Sequence, residues 1–495
     1  MSDDVIKPST ARASNPTEAP KRLTGNLGVT AIVFMVVAAA APLTVVGGTM
    51  PLGFGLGNGV GLPVTFVFAA VILCLFTVGL SRMAQAVPKP GAFYTYIRQG
   101  LGPTAGTAAA CVAIASYIVV PLATSAYAGV QVDLAVTSLG GPHIPWFVYS
   151  IATIMFIGLL GYRSIDLTSR VLSVMLIGEV LVVVALAVVV LARGGDSGVT
   201  TAPLEPSNLL GGNVGLAIMF AITGFIGFEA TAVFRDEARD PERTVPRATY
   251  ISVIAIGLFY AFAAYVMIVA WGPDNIVTQA ITDPAGMLVA ATDRYLGPVG
   301  VVAAQALLIT SILACILAFH NVTARYLHSL AGEGILPRRL NAVHEIHGSP
   351  HRSSAIVSGV SAAFLVIAVV LGLDPVNQIF AWFSSLITVG VVILMIATGI
   401  SVLVYFAKNR RGATVWSSTV APVLSVVGLG FSLALLISNF SMLTGGSHAV
   451  AYSLLGIFPF AALIGVVVAR RRSTSRPRNR IRVLDSSYRS STVTT

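Results

Sequence analysis

The amino-acid sequence predicts an all-α polytopic membrane protein with twelve transmembrane helices, and three observations carry that prediction. The 495 residues are 56% hydrophobic and only 10% charged, with a mean hydropathy of +0.86, too few polar side chains to cover the surface of a water-soluble domain. Apolar stretches long enough to cross ~30 Å of hydrocarbon, roughly 20 residues each, recur from about Leu27 to Ala469. Lysine and arginine gather in alternate breaks between those stretches, the pattern left when one set of loops faces the cytoplasm.

In chain order the spans lie at about 27 to 52, 60 to 82, 104 to 135, 145 to 162, 166 to 193 and 212 to 235 in the first half. The second half holds about 248 to 272, 297 to 330, 353 to 373, 380 to 407, 416 to 440 and 449 to 469. An even number puts both tails on one side. If that side is the cytoplasm, 28 of the 30 Lys and Arg residues are inside and only Arg193 and Arg294 are outside. A miscounted span would scramble so lopsided a split, so count and orientation support each other. The expected location is the cell membrane, with both termini cytoplasmic and the lipid bilayer as the main partner.

Residues 1–26 are polar, carry Ser, Pro and acids, and lead into the first span without a convincing cleavage site, so they read as a disordered cytoplasmic tail. Residues 471–495, rich in Arg and Ser, read as a second, basic tail attracted to the membrane surface. Between them, 27–470 is the transmembrane domain. A net charge of +10 sits in loops and tails with no interleaved aromatics, which argues against a nucleic-acid partner. Cys74, Cys111 and Cys315 all fall in apolar spans and behave as small apolar residues. No metal or cofactor is expected. Nor is an enzyme, for want of a cluster of acids, histidines or an activated nucleophile, and no Gly-x-x-x-x-Gly-Lys-Ser/Thr loop is present to drive an ATP-powered pump.

Two spans cannot run as unbroken helices without strain. Span 1 reads Ala38-Ala39-Ala40-Ala41-Pro42-Leu43-Thr44 and then Gly47-Gly48; Pro42 removes a backbone donor and clashes with the preceding turn. Span 6 reads Thr223-Gly224-Phe225-Ile226-Gly227-Phe228-Glu229, two glycines and a carboxylate at mid-membrane depth. Either alone is equally well read as a kink or as close helix packing. Together they stand first in two groups of five spans, about 27–193 and 212–407, with the helices at about 416–469 left over. Interruptions at corresponding positions of two halves point to a midplane binding site in an inverted-repeat transporter.

The stretch Gly224 to Glu229, followed by Arg235-Asp236-Glu237-Ala238-Arg239-Asp240-Pro241-Glu242-Arg243-Thr244-Val245-Pro246-Arg247-Ala248, resembles the sixth span and following loop of the amino acid-polyamine-organocation (APC) permease family. Ala324-Arg325-Tyr326-Leu327-His328-Ser329-Leu330-Ala331-Gly332-Glu333-Gly334-Ile335-Leu336-Pro337 is similar to that family's loop after span 8. Pro88-Lys89-Pro90-Gly91-Ala92-Phe93-Tyr94 is similar to its loop between spans 2 and 3. What the resemblance implies is a five-plus-five inverted repeat with broken helices 1 and 6, peripheral spans 11 and 12, and substrate bound between spans 1, 3, 6, 8 and 10. It implies a secondary active transporter of amino acids or related amines working by alternating access, with H⁺ as the expected coupling ion, a polyamine or amino acid exchanger or a Na⁺-coupled symporter as the alternatives, and a channel as the less favoured reading. Span 1 departs from the family: Ala40-Ala41-Pro42 stands where many members carry a glycine-rich break.

The expected substrate site is Ala40, Ala41, Pro42, Leu43 and Thr44 on span 1 with Thr223, Gly224, Phe225, Ile226, Gly227 and Phe228 on span 6. Unwound backbone there offers amides to an α-carboxylate and carbonyls to an α-ammonium. Phe225 and Phe228 would close over a ligand or else pack. Glu179 on span 5 and Glu229 on span 6 are the two acids well inside the spans, each a functional hypothesis because an ionised carboxylate there costs several kcal/mol unless paired or hydrated. Glu179 would carry a proton, ligate Na⁺ with Thr310 and Ser311, or simply bond a neighbouring helix. Glu229 would couple or satisfy unwound amides. Tyr117 would serve the site or pack, and His320, with no second ligand near it in the sequence, would pack.

Overall fold

The computed structural model describes residues 27–87, 93–163, 169–409, 412 and 414–475, without the side chains of 169, 170, 232–236 and 473–475. Both expected tails up to 26 and from 476, the Pro88–Ala92 motif, and the Arg235 and Asp236 side chains lie outside the described residues. Among the described residues there is no strand, only one isolated bridge, and eleven helices are long and apolar enough to cross a membrane. A twelfth, Trp146–Tyr162, is shorter but as apolar, and at 1.5 Å per residue it reaches about 25 Å. It is the fourth span.

The helices follow the expected spans closely, with differences at ends where polar caps or glycines intervene. Span 8 belongs to a helix run Met287–Gly332 that bends at Gly297, whose φ of 69° and ψ of −166° are non-helical, with Pro298 next; the spanning part therefore begins where expected. Span 10 starts earlier than expected, at Pro375, because the Asp374 carboxylate accepts from the Val376 and Asn377 amides and caps it. The last helix, Ile457–Ser475, runs past 470. A helix at Phe93–Leu101, opening on the last residues of the Pro88–Tyr94 motif, precedes span 3 (Pro103–Ser138).

Span 1 (Val29–Leu56) is broken. Its first half ends at Ala39, Ala41 adopts φ 49° and ψ 70°, and a new helical half begins at Pro42. Ala41 is the one non-glycine residue with positive φ among those described. Pro42 explains it: the ring disfavours the α conformation for its predecessor and supplies no amide to continue the hydrogen-bond ladder. Span 6 breaks differently. Its helix Val214–Thr223 gives way to a turn through Gly227, at φ 112°, and then to a tighter 3-10 segment Phe228–Glu237, a path open only to glycine at that φ.

Beyond the second break the chain pairs with the start of the first span. The Leu27 amide donates to the Glu237 carbonyl at 2.9 Å and the Arg239 amide to the Leu27 carbonyl at 3.0 Å, so the entry to span 1 is clipped to the loop after span 6. At the opposite end of the bundle Arg294 binds Asp196 at 2.6 Å, and this hydrogen bond holds the Asp196 carboxyl below its ordinary range.

Candidate functional site

Each break is held by a carboxylate. Glu179, 3% exposed on span 5 (Ser169–Arg193), accepts from the Leu43 amide at 3.0 Å and from the Ser311 hydroxyl at 3.0 Å, both on Oε2. Ser311 in turn accepts from the Thr44 hydroxyl at 3.2 Å. Pro42 has no amide, so the Leu43 amide is the first donor that the new half-helix presents. A carboxylate there meets both the orphan donor and the positive end of the helix dipole. Thr310 turns away, its hydroxyl donating to the Leu307 carbonyl of its own helix at 3.0 Å.

At the second break Glu229 folds back on its own chain. Its Oε2 accepts from the Gly227 amide at 2.8 Å and its Oε1 from the Tyr117 hydroxyl at 2.9 Å, which bridges span 6 to span 3. The Tyr117 ring lies against Phe319 and Tyr326, with centroids 5.9 and 5.7 Å away.

Between the breaks lies a cavity of about 50 Å³, lined by spans 1, 3, 6, 8 and 10, the five that the resemblance named. Room for a few water molecules is all that volume supplies. Of the expected substrate residues, Ala40, Ala41, Thr44, Thr223 and Ile226 line it. Pro42 and Leu43 are buried beside it, and Gly224 faces Val45 and Tyr260, where an added Cβ would come within 3.0 and 3.1 Å. Phe225 packs edge-on to Tyr260 at 6.2 Å, and Phe228 edge-on to Phe76 at 6.2 Å. Both rings pack in this structure, because the turn brings only every third residue, Thr223 and Ile226, to the cavity and aims Phe225 and Phe228 away from it. Gly227, Glu179 and Glu229 also stand outside the lining.

The sequence reading did not single out Thr49, Val120, Thr124, Cys315, Phe319, Phe380, Ser384 and Ile387, all of which line the cavity. Phe380 stacks on Tyr127 with centroids 4.6 Å apart, and the Tyr127 hydroxyl donates to the Gly47 carbonyl at 2.6 Å. Gly48 permits that approach: a Cβ there would meet both rings at 3.0 Å. His320 pairs with the Ser354 hydroxyl at 2.9 Å, a packing contact. Among the described residues no group of three His, Cys, Asp or Glu is placed to hold a metal ion.

A family model described as amino acid permease matches residues 25–477, which takes in every span and both breaks. The chain belongs to the amino acid permease family. Among its relatives, the low-affinity putrescine importer PlaP of Escherichia coli (strain K12) is 23% identical over 411 residues, covering 81% of this permease and 85% of the importer. The branched-chain amino acid permease BcaP of Bacillus subtilis (strain 168) is 23% identical over 404 residues, 77% of this chain and 81% of that one. The gamma-aminobutyric acid permease of the same organism is 25% identical over 334 residues, 65% and 68% of the two chains. Membership makes the permease a membrane transporter and not an enzyme. A channel-like pore or a receptor, which would not need two matched breaks, has no support from these relatives.

Proposed function

We propose that this permease is a secondary active transporter that moves amino acids or related amines across the cell membrane by alternating access, with protons as the driving ion and Glu179 as their carrier. Both ends of the chain then lie in the cytoplasm, on the side holding 28 of the 30 Lys and Arg residues. Breaks in the first span of each five-span group support the inverted-repeat arrangement, in which one set of helices rocks against the other around a fixed site.

One observation carries the coupling: a single carboxylate oxygen on span 5 holds the first amide of span 1's second half and, through Ser311, span 8. A charged acceptor binds such donors about twice as strongly as a neutral one. Proton uptake at Glu179 therefore loosens the grip on spans 1 and 8, and proton release restores it, so each state favours a different arrangement of the same helices. Na⁺ fits this oxygen less well. The Leu43 amide already directs its hydrogen at it, and Thr310, the second hydroxyl a cation would want, faces its own helix.

The test is uptake of labelled amino acids and amines by purified protein in liposomes, with pH and Na⁺ gradients imposed separately. Accumulation driven by a proton gradient alone is expected. Accumulation that follows Na⁺ and ignores pH overturns the proton reading, uptake that needs only substrate on the far side makes the protein an exchanger, and flux without saturation or counter-flow makes it a channel.

A further inference from the structure

The cavity lining carries no ionisable side chain except the Cys315 thiol. Its nearest acids are both occupied elsewhere, Glu179 with Leu43 and Ser311 and Glu229 with Gly227 and Tyr117. A second ammonium brought in on a diamine or a basic side chain would lose its water and meet no counter-charge. An extra carboxylate would meet no Lys or Arg. Burying either charge unpaired costs several kcal/mol. Backbone at the two breaks can serve one ammonium and one carboxylate, which accounts for a zwitterion and nothing more.

The hydroxyls divide into two groups. Thr124 donates to the Val120 carbonyl at 2.6 Å, Thr223 to the Met219 carbonyl at 2.8 Å, and Thr44 to Ser311. Thr49 and Ser384 line the same cavity, each only 3% exposed, and their hydroxyls have no partner among the described residues. Thr49 closes the π-helical turn Val45–Thr49 that follows the first break, so it stands beyond the backbone that would hold the substrate's charged head, on the side the substrate's side chain would occupy. Neither hydroxyl is among the polar atoms buried away from every partner; both line the cavity, where a ligand's hydrogen-bonding group can take the place of water.

We infer that the substrate is a neutral amino acid whose side chain ends in an uncharged hydrogen-bonding group, a hydroxyl or an amide, and that Thr49 and Ser384 determine that specificity. Val120, Phe319 and Ile387 flank the apolar stem. The inference rests on the transport reading above and deepens it.

Binding to the purified permease is measured first, by ligand-induced thermal shift with glutamine, asparagine, threonine, alanine, leucine, lysine, glutamate and putrescine, and uptake into liposomes second. Glutamine, asparagine or threonine should bind tightest. Ser384→Ala and Thr49→Val should each weaken that ligand by about 3- to 10-fold, the worth of one net hydrogen bond, while alanine binding stays as in wild type; a merely structural role would lower both together. Tightest binding by putrescine, lysine or glutamate overturns the inference, and so does leucine as the best ligand or an unchanged selectivity ratio in both variants. Binding as expected without uptake leaves the inference standing and overturns the transport reading instead, whereas no binding by any amino acid overturns both.

Discussion

The Leu43 amide donates to Glu179 Oε2 at 3.0 Å, across 136 residues of sequence, and so the helix that restarts after the first break is capped from another span. An N-terminal cap is usually a neighbour in sequence. A local cap is ruled out because Ala41, the residue at the cap position, has no side-chain oxygen. Glu179→Gln keeps shape and acceptor capacity while removing titration. Gradient-driven accumulation should then fall to the passive level, with substrate binding and counter-flow exchange retained and their pH dependence gone. Labelled uptake against an imposed pH gradient, wild type beside mutant, is the measurement. Full concentrative uptake by the mutant would show Glu179 to be a structural cap only.

Glu179→Ala separates the cap from the coupling. It leaves both the Leu43 amide and the Ser311 hydroxyl without their acceptor, and each buried orphan costs roughly 1–3 kcal/mol. The thermal unfolding midpoint in detergent should therefore drop clearly for Glu179→Ala and little for Glu179→Gln. Equal midpoints for wild type and Glu179→Ala would mean that the cap contributes nothing to the fold.

Gly227 sits at φ 112°, where a β-branched side chain is strained whatever space surrounds it, by about 1–3 kcal/mol. Gly227→Val should displace Ile226 from the cavity and break the Gly227–Glu229 bond, reducing substrate affinity at least about tenfold while folded protein is still recovered. Gly224→Val acts by another route, since its Cβ would press on Val45 and Tyr260, and should also abolish transport. Ligand titration of each purified variant decides. Unchanged affinity in Gly227→Val protein would remove span 6 from the site.

Much of this arrangement was legible in the sequence, and the reasons differ by residue. Pro42 and Gly227 mark their breaks only as a pair: either alone reads equally well as a kink or as close packing, and their corresponding positions in two five-span groups are what point to interruptions. Glu179 stands out because a carboxylate in an apolar span demands an explanation. Phe319, Phe380 and Ile387 announce nothing, for in lipid every face of a span is apolar and hydrophobic periodicity no longer tells inside from outside. Thr310 and Ser311 make the point at single-residue scale: one turns to Leu307 and the other to Glu179, a choice fixed by helix rotation that neighbouring hydroxyls in a sequence do not reveal. Phe225 and Phe228 left both readings open in the sequence, closing over a ligand or packing, and their packing on Tyr260 and Phe76 depends on the turn between them, which the sequence does not orient.

The backbone clip joins Leu27, at the entry to span 1, to Glu237 and Arg239 in the loop after span 6, and on the proposed alternating-access reading these two elements separate when the cavity opens toward that face. Leu27→Pro removes the amide that donates to the Glu237 carbonyl and leaves the span itself intact, so it should shift the population toward the state open on that side. A native reporter stands in the cavity: Cys315 lines it and is a free thiol, as are Cys74 and Cys111, which can be replaced by alanine to leave one cysteine. In that background a membrane-impermeant maleimide added from the Leu27 side should label Cys315 severalfold faster in the Leu27→Pro variant than in wild type. Saturating substrate should slow labelling in both, because it fills the space the reagent must enter. Labelling that is equally slow with and without Leu27→Pro would show that the backbone clip does not restrain the gate, and labelling indifferent to every substrate that the protein transports would place the binding site somewhere other than beside Cys315.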